Sequence, residues 1–438
     1  MTEDIFDQMS AAIKRTNLTR RVGQVVGIAG GTVQISALSA FARVGDRISV
    51  IGRYLEGEVI RADDAIVDVL MDGSTEGLGL EASVTLRTRP AFAPHSGWIG
   101  RVIDPDGQPL DGRPLLAGVV EQDLSIAPPP AATRREMGGR LATGFAVFDT
   151  ILPIVRGQRI GVFAGSGVGK STLLASLAKR VEADVIVIGL VGERGRELRE
   201  FVEKSLGPEG MKRSVIVAAT SDRAPQVRRR CPLAATAVAE YFRDQGKQVL
   251  LLIDSVTRFA EAHREVAVAA GEQANLRGHP ASTPAAIAGL CERAGPGVEG
   301  AGDITAIYTV LVAGSDMEEP VADMLRGVLD GHVVLDRTIA ERGRFPAIDV
   351  TRSVSRSLPD AANAAENKLI TLARQHMGAY AQAELMIQSG LYAHGSDAKI
   401  DDAIATRDAL EGFVATQGDQ GIVAGFRLLQ RALQIGGP

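Results

Sequence analysis

The residues best suited to chemistry lie in the stretch AGSGVGKST, which follows an apolar strand pattern and precedes a helical pattern. It matches the P-loop signature, with alanine in place of the first glycine. The glycines let backbone N–H groups turn inward around phosphate oxygens. The lysine can then reach the β- and γ-phosphates, and the serine can ligate Mg²⁺. The predicted nucleotide-binding residues are Ala164, Gly165, Ser166, Gly167, Val168, Gly169, Lys170, Ser171 and Thr172.

A second acidic residue is needed to position the metal ion, and the stretch QVLLLIDSVTRFA supplies Asp254 at the end of an apolar strand pattern. In P-loop enzymes such a carboxylate holds Mg²⁺. By itself, an aspartate at the end of a strand most often marks only the point where the chain passes from the core to the surface. Its place downstream of a P-loop favours the functional interpretation, so Ser171 and Asp254 are the predicted metal ligands.

The strand pattern that starts at Val185 runs directly into the charged sequence GERGREL. If this strand belongs to the same parallel sheet, its end opens at the edge where ligands of open α/β sheets bind. We therefore expect Glu193 to orient or deprotonate the attacking water, and Arg194 to bind the γ-phosphate. The alternative is a surface ion-pair cluster, and we expect Arg196 and Glu197 to be merely solvated.

The elements that must position these residues divide the 438-residue chain into four predicted parts. Residues 1–20 contain a short amphipathic helix, and residues 21–90 have the alternating runs and turn signals of a small β-barrel. Between 91 and 357 strands alternate with helical patterns, which predicts an α/β domain with a largely parallel sheet. Residues 358–438 are rich in alanine, leucine and glutamine and predict a helical domain.

The N-terminal helix has Ile5, Phe6, Met9 and Ile13 on one side. Two interpretations stay open: the stripe packs on its own domain, or it docks a partner.

Composition excludes several classes of protein. The net charge of −5 argues against a surface that binds nucleic acid throughout, although not against a local basic patch. No apolar run approaches the ~20 residues needed to span a bilayer. The acidic start, MTEDIFDQ, lacks the apolar region of a secretory signal. Two cysteines offer no disulfide framework and are typical of a reducing cytoplasm.

Several long motifs resemble one family. AGSGVGKS, GLVGERGREL, QVLLLIDSVTRFA, YTVLVAGSDMEEPVADMLRGVLDGHVVLDR and RFPAIDVTRSVSR together are similar to the flagellum-specific ATPase of the type III protein export apparatus. The resemblance covers nearly the whole chain. It implies a RecA-like P-loop ATPase core between a β-barrel and a helical domain, using ATP and Mg²⁺ in a homo-hexameric ring.

By its place in RFPAIDVTRSVSR, Phe345 resembles the aromatic residue that stacks on adenine, and Arg356 resembles the arginine finger that reaches the neighbouring subunit's γ-phosphate. Both assignments rest on the resemblance. Lys170, Glu193, Arg194 and Arg356 are the predicted catalytic residues. A chain that carries both the base and the finger can form a working ring from identical copies.

The resemblance also implies partners and a location. The partners are a regulatory stalk-like protein at the N-terminal helix, a central stalk protein, the export gate, chaperones and export substrates. Nucleic acid is not expected, and the cytoplasmic protein would touch the inner face of the membrane only peripherally. One loop departs from the family pattern: GEQANLRGHPAST, residues 271–283, differs at most positions of a loop that faces the centre of the ring.

Three alternatives remain open. An injectisome ATPase would have the same core. A catalytic subunit of a rotary synthase would carry an acidic Asp-Glu-Leu-Ser-Glu-Glu-Asp segment, which this chain lacks. A hexameric RNA translocase could use the basic run Arg228 to Arg230 to contact phosphates, although the barrel shows no aromatic pair for stacking bases.

Overall fold

The structure is a computed structural model that describes residues 6–7, 9–11, 13, 19–87, 92–312, 317–418 and 421–434. Its first folded unit is a closed antiparallel barrel whose strands follow the order β1-β2-β5-β4-β3-β6. Side chains alternate between the two faces, so that Val33, Ile35, Val67 and Val69 fill the interior. The barrel strands are β1 (Arg21–Ala29), β2 (Thr32–Ser36), β3 (Arg47–Val50), β4 (Glu56–Ala62), β5 (Ile66–Met71) and β6 (Ser83–Arg87).

A twisted, mostly parallel sheet forms the centre of the molecule. Its order is β17-β16-β8-β15-β11-β9-β10-β7. The short strand β14 pairs antiparallel with the first residues of β15. The inner strands are almost continuous runs of Val, Ile and Leu because both faces of the sheet are covered. The strands are β7 (Val102–Ile103), β8 (Arg159–Ala164), β9 (Val185–Glu193), β10 (Ser214–Thr220), β11 (Val249–Asp254), β14 (Gly295–Pro296), β15 (Asp303–Leu311), β16 (Gly331–Leu335) and β17 (Ile348–Ser355); β12 (Ala274–Leu276) and β13 (His279–Pro280) form a separate hairpin.

Helices cover both faces of this sheet and form the C-terminal domain. A π-helical turn, Phe201–Leu206, continues α3. The helices are α1 (Ala146–Asp149), α2 (Lys170–Arg180), α3 (Gly195–Glu200), α4 (Gly207–Met211), α5 (Pro225–Asp244), α6 (Val256–Ala269), α7 (Thr283–Glu292), α8 (Pro320–Val328), α9 (Arg337–Glu341), α10 (Ala364–Gln388), α11 (Ala398–Ala415) and α12 (Gly421–Ala432).

The order of the strands brings the predicted chemistry together. β8, β15, β11 and β9 are consecutive parallel neighbours, so their carboxyl ends share one edge of the sheet. β8 leads into the P-loop, β11 ends at Asp254 and β9 ends at Glu193. The residues singled out in three separate stretches of sequence therefore lie at one edge, as the parallel arrangement predicts.

The C-terminal helices pack directly on the sheet domain. Leu410 and Phe413 of α11 and Phe426 and Leu429 of α12 are buried in the same apolar core as the P-loop helix α2. Helix α10 begins with a capping box at Asn363, whose side chain accepts the Glu366 N–H while the Glu366 carboxylate accepts the Asn363 N–H. The C-terminal helices and the sheet domain thus share one apolar core.

The basic run at residues 228–230 joins the barrel to the ATPase domain. Arg228 pairs with Glu265 at 3.1 Å, and Arg229 pairs with Glu58 of β4 at 2.7 Å. Arg230 also pairs with Glu58, at 2.5 Å, and its second pairing is with Asp106. The hypothesis that this run offers a surface for nucleic-acid phosphates is therefore wrong, because carboxylates of the same chain engage all three guanidinium groups.

The N-terminal stripe is only partly within the described residues. Phe6, Met9 and Ile13 have helical backbone and exposed side chains, and Ile5 lies outside the described residues. These three side chains are therefore not buried against the described part of the chain. Among the residues that the structure describes, no helix is both long and apolar enough to cross a bilayer.

The divergent loop is held at its two ends. The Glu272 carboxylate accepts hydrogen bonds from the Ser282 N–H at 2.8 Å and from the Ser282 hydroxyl at 2.6 Å, and His263 Nε2 lies 2.8 Å from the same hydroxyl. Arg277 donates to the Glu318 carbonyl at 2.8 Å. Glu272 and Ser282, which match the family pattern, therefore fix the base of the loop, and Arg277, which also matches it, ties the turn of the hairpin to the neighbouring chain segment.

Candidate active site

The P-loop joins β8 to α2 through two residues in the left-handed region. Gly167 has φ of +78° and Gly169 has φ of +87°, a conformation that only glycine adopts without strain. Val168 between them is buried and anchors the loop, whereas Ser166 and Gly167 are exposed. The loop thereby presents backbone N–H groups at the N-terminus of α2, where the helix dipole favours an anion.

Lys170 opens α2 and bonds directly to the acid predicted to help hold the metal. Its Nζ lies 2.5 Å from Asp254 Oδ1, and both side chains are largely buried. The Thr309 hydroxyl donates to the same oxygen at 2.7 Å. These two donors fix the Asp254 carboxylate at the end of β11, beside the phosphate loop.

A cavity of about 190 Å³ adjoins this pair. Ser171 and Asp254 both line it, so a hydroxyl and a carboxylate oxygen face one space. Oxygen ligands of this kind suit Mg²⁺, which takes one or two protein ligands together with substrate phosphates and water. The described residues hold no cluster of three or more histidine, cysteine or acidic side chains suited to a metal. The lining residues are Ser171, Leu190, Glu193, Glu197, Leu198, Glu200, Phe201, Ser205 and Asp254.

Glu193 lines the same cavity as Ser171 and Asp254, and its side chain is largely buried. Burial, a hydrogen bond with the Glu197 carboxyl and the negative charge of Asp254 raise the pKa of Glu193 from 4.5 to about 7. The charges of Lys170 and Arg258 act in the opposite direction. A carboxylate whose pKa lies near neutral pH is matched to general-base catalysis.

Glu197 corrects one sequence expectation. Its side chain is half exposed, as expected of a solvated residue, but it also lines the cavity and hydrogen-bonds to Glu193, which was not expected. One turn of α3 after the strand end brings the two carboxyl groups to the same side, a proximity that the linear order of charges did not reveal.

Arg258 is a residue that the sequence analysis missed. Its Nε lies 3.9 Å from Glu193 Oε1, and its side chain packs across Gly192. Within the described residues this Nε makes no hydrogen bond. The signal in the sequence was an arginine in the first turn of the helix that follows Asp254, a place from which its side chain approaches Glu193. Its chemistry suits a phosphate oxygen.

Arg194 is not drawn into the cavity within a single chain. Its side chain is 81 % exposed and pairs with Glu197 at 3.6 Å. Phe345 does reach the phosphate loop: a methyl group on Gly169 would lie 3.3 Å from two carbons of its ring. Phe345 is also 48 % exposed, so one face of the ring is open beside the loop.

Arg356 lies at the opposite edge of the sheet from the P-loop. Its N–H bonds to the Asp330 carbonyl, and Asp330 in turn binds Arg159, the first residue of β8. Five residue steps of β8 separate that level from Ala164, about 17 Å of strand. The exposed Arg356 side chain therefore cannot reach the phosphate loop of its own chain.

Comparison with known proteins agrees with this geometry. The sequence model of the ATP synthase alpha/beta family nucleotide-binding domain matches residues 144–355, and that of the T3SS EscN ATPase C-terminal domain matches residues 362–421. The flagellum-specific ATP synthase of Caulobacter vibrioides is 42 % identical over 420 residues, which cover 94 % of this chain and 95 % of the relative. The chain belongs to the flagellar and type III secretion ATPase family.

Other members of the family are similarly close. The type 3 secretion system ATPase of Sinorhizobium fredii is 40 % identical and covers 94 % of this chain and 90 % of its own length. The assembled ATPase EscN of enteropathogenic E. coli superposes with a TM-score of 0.85 at 34 % identity, covering 94 % of this chain and all of that one. Family membership confirms the predicted ATP-hydrolysing enzyme, and the EscN structure confirms the predicted fold class.

Proposed function

We propose that this ATPase is the Mg-ATP-driven motor of flagellar protein export, working as a homo-hexameric ring. It would promote release of export substrates from their chaperones and their entry into the export gate. The observation that carries this proposal is the Lys170–Asp254 pair beside a cavity that also holds Glu193. This arrangement joins a phosphate ligand, a metal-positioning acid and a base of suitable pKa.

The roles of the residues follow from their places. Ser171 and Asp254 would hold Mg²⁺, whose charge offsets that of the β- and γ-phosphates. The P-loop backbone and Lys170 would bind the phosphates, and Phe345 would cover the adenine. Arg258 lies beside Glu193 and would add a second positive charge near the phosphates. Glu193 would accept the proton of the attacking water.

A neighbouring subunit would complete the site. The place of Arg356 at the far edge of the sheet supports its action as an arginine finger in trans, which is worth roughly 10³–10⁵ in rate. The exposed Arg194 would reach phosphate only with rearrangement of its pair with Glu197. The relative described as the assembled ATPase EscN in complex with its central stalk EscO supports a ring around a stalk partner.

Two partners and a location complete the proposal. The exposed stripe of Phe6, Met9 and Ile13 would bind a regulatory stalk-like protein. A central stalk protein would engage the loop at 271–283 and the C-terminal helices. The ring would work in the cytoplasm, peripherally at the inner face of the membrane.

An injectisome ATPase is the second candidate. The type 3 secretion relative is 40 % identical, within the 40–45 % range of flagellar relatives, and the C-terminal domain matches the EscN-type sequence model. The flagellar function is preferred because relatives of that name match from several distant bacteria, including Treponema pallidum and Bacillus subtilis. Restoration of motility in a flagellar-ATPase deletion strain, but not of injectisome secretion, separates the two.

The decisive biochemical test mixes two inactive variants. Glu193→Gln removes the base, and Arg356→Ala removes the finger. If the finger acts in trans, a mixed ring contains sites that combine Glu193 of one chain with Arg356 of the next. Random mixing then recovers about a quarter of wild-type activity per site. Each variant alone is the control, and a mixture that stays inactive although rings form would contradict the proposed site.

A further inference from the structure

The short segment that carries Phe345 is joined to the C-terminal helices by two ion pairs. It connects α9 to β17 and includes Arg342, Arg344 and Phe345. Two ion pairs cross from it to the helical domain, one to α10 and one to α11. The segment therefore has direct contact with the phosphate loop on one side and with the C-terminal helices on the other.

Arg344 makes the stronger of the two connections. Its side chain is 10 % exposed, and its Nε lies 2.5 Å from Glu411 Oε2 on α11. The same guanidinium donates to the carbonyls of Pro346 at 3.2 Å and Ile348 at 2.8 Å. One side chain thus braces the backbone that follows Phe345 and holds it against a C-terminal helix.

Arg342 makes the second connection, from its guanidinium to Glu384 Oε1 of α10 at 2.7 Å. The next two residues of α10, Leu385 and Met386, are exposed. A cavity of about 280 Å³ lies among these ion pairs, between the ATPase domain and α10 and α11. The two helices therefore contact the segment through polar groups around this cavity, and not through a continuous apolar core.

We propose that Arg344 and Glu411 are positioning residues that set the affinity for adenine by holding Phe345 against the phosphate loop. The inference rests on the proposed function only in taking Phe345 as the adenine contact. Neither Arg344 nor Glu411 is assigned a contact with the nucleotide. Both would act through the backbone of the segment that carries Phe345.

Glu411→Gln tests this coupling, because it removes the charge and keeps the size of the side chain. Because the Glu411 carboxylate is 44 % exposed, loss of this ion pair is expected at the low end of the range for interactions with charged groups, which corresponds to about a tenfold change in affinity. We expect the KM for ATP and the Kd for ADP, measured by calorimetry, to rise about tenfold while kcat stays within about twofold. The Kd for inorganic tripolyphosphate, which has no base, is expected to stay unchanged.

Glu341→Gln is the matched control. Glu341 pairs with Arg337 at 2.9 Å on the nearby helix α9, and both side chains are exposed. Its loss is expected to leave all four constants unchanged. In a Phe345→Ala background, Glu411→Gln is expected to have no further effect on ADP binding, because the residue through which it acts is gone.

Three outcomes would overturn the inference: unchanged ADP binding in Glu411→Gln, equal weakening of ADP and tripolyphosphate, or full additivity with Phe345→Ala. The comparison of ADP with tripolyphosphate needs no hydrolysis. A wild-type protein that binds both but hydrolyses no ATP would therefore count against the proposed function and leave the coupling measurable.

Discussion

Lys170 and Asp254 form a direct ion pair at the edge of the sheet, with Nζ 2.5 Å from Oδ1. One residue begins the helix after β8 and the other ends β11, two strands away in the sheet. Mg-ATP offers each residue a new partner of the same charge as its present one. A phosphate can replace Asp254 beside Lys170, and Mg²⁺ can replace Lys170 beside Asp254. The pair is thus a pre-formed site whose charges are balanced before substrate arrives.

We predict that Lys170→Met abolishes measurable ATP hydrolysis, with a loss of at least about 10²-fold, because the γ-phosphate loses its main side-chain cation. ATP is also expected to raise the melting temperature of the variant much less than that of wild type. Lys179→Met is the control, since Lys179 lies on the same helix but bonds only to the Ser205 carbonyl within the described residues. Equal nucleotide-induced stabilisation of both variants would contradict the role of Lys170.

Glu193→Gln is expected to lower kcat by about 10²–10⁴ while nucleotide binding is retained, because the amide cannot accept a proton from water. Steady-state kinetics and ADP calorimetry together measure this separation. Glu203→Gln serves as control, since Glu203 is exposed and pairs with Arg199 on the nearby surface. A parallel loss of ADP binding in Glu193→Gln would instead indicate a binding or structural role.

The raised pKa of Glu193 predicts a specific pH dependence. The base acts when ionised, so kcat/KM should fall about tenfold per unit as pH drops below about 7. Because the Glu197 carboxyl contributes to this shift, Glu197→Ala should move that limb to lower pH. An identical pH profile in Glu197→Ala would show that another group controls the limb.

The same shift predicts the sign of a stability effect. The folded state holds the Glu193 proton up to about pH 7, whereas the unfolded chain releases it near 4.5. Stability from this group is therefore present at low pH and lost as pH rises through that window. We expect Glu193→Gln to melt at a higher temperature than wild type at pH 8, and at the same temperature at pH 4.5. A lower melting temperature at pH 8 would contradict the burial of an ionised carboxylate.

Glu58→Ala is predicted to destabilise the junction of the barrel and the ATPase domain by about 3–5 kcal/mol, because it leaves Arg229 and Arg230 without their shared carboxylate in a buried place. Urea denaturation measures the change. Glu56→Ala is the matched control: Glu56 lies on the same strand and pairs with Arg47 and Arg87, but its side chain is 41 % exposed. Its cost is expected to be below about 1 kcal/mol.

Much of the site could be predicted because its residues follow local rules. The P-loop has its own glycine spacing, and Asp254 and Glu193 each end an apolar strand; parallel order then brings strand ends together. The interactions that sequence analysis missed depend on distant packing. Glu58 and Arg230 are 172 residues apart, and nothing in the basic run reveals its partner. Arg258 and Glu197 required knowledge of which side of a helix faces the cavity.

The place of Arg356, at the far edge of the sheet from its own phosphate loop, has a consequence for the cell. If Arg356 acts in trans, as proposed, a newly made chain holds one part of two different active sites and a complete set for neither. Hydrolysis is then expected to begin only where copies gather, so that chains dispersed between export stations leave the ATP pool untouched. One copy that lacks both Glu193 and Arg356 would then impair two sites of a ring, its own and its neighbour's.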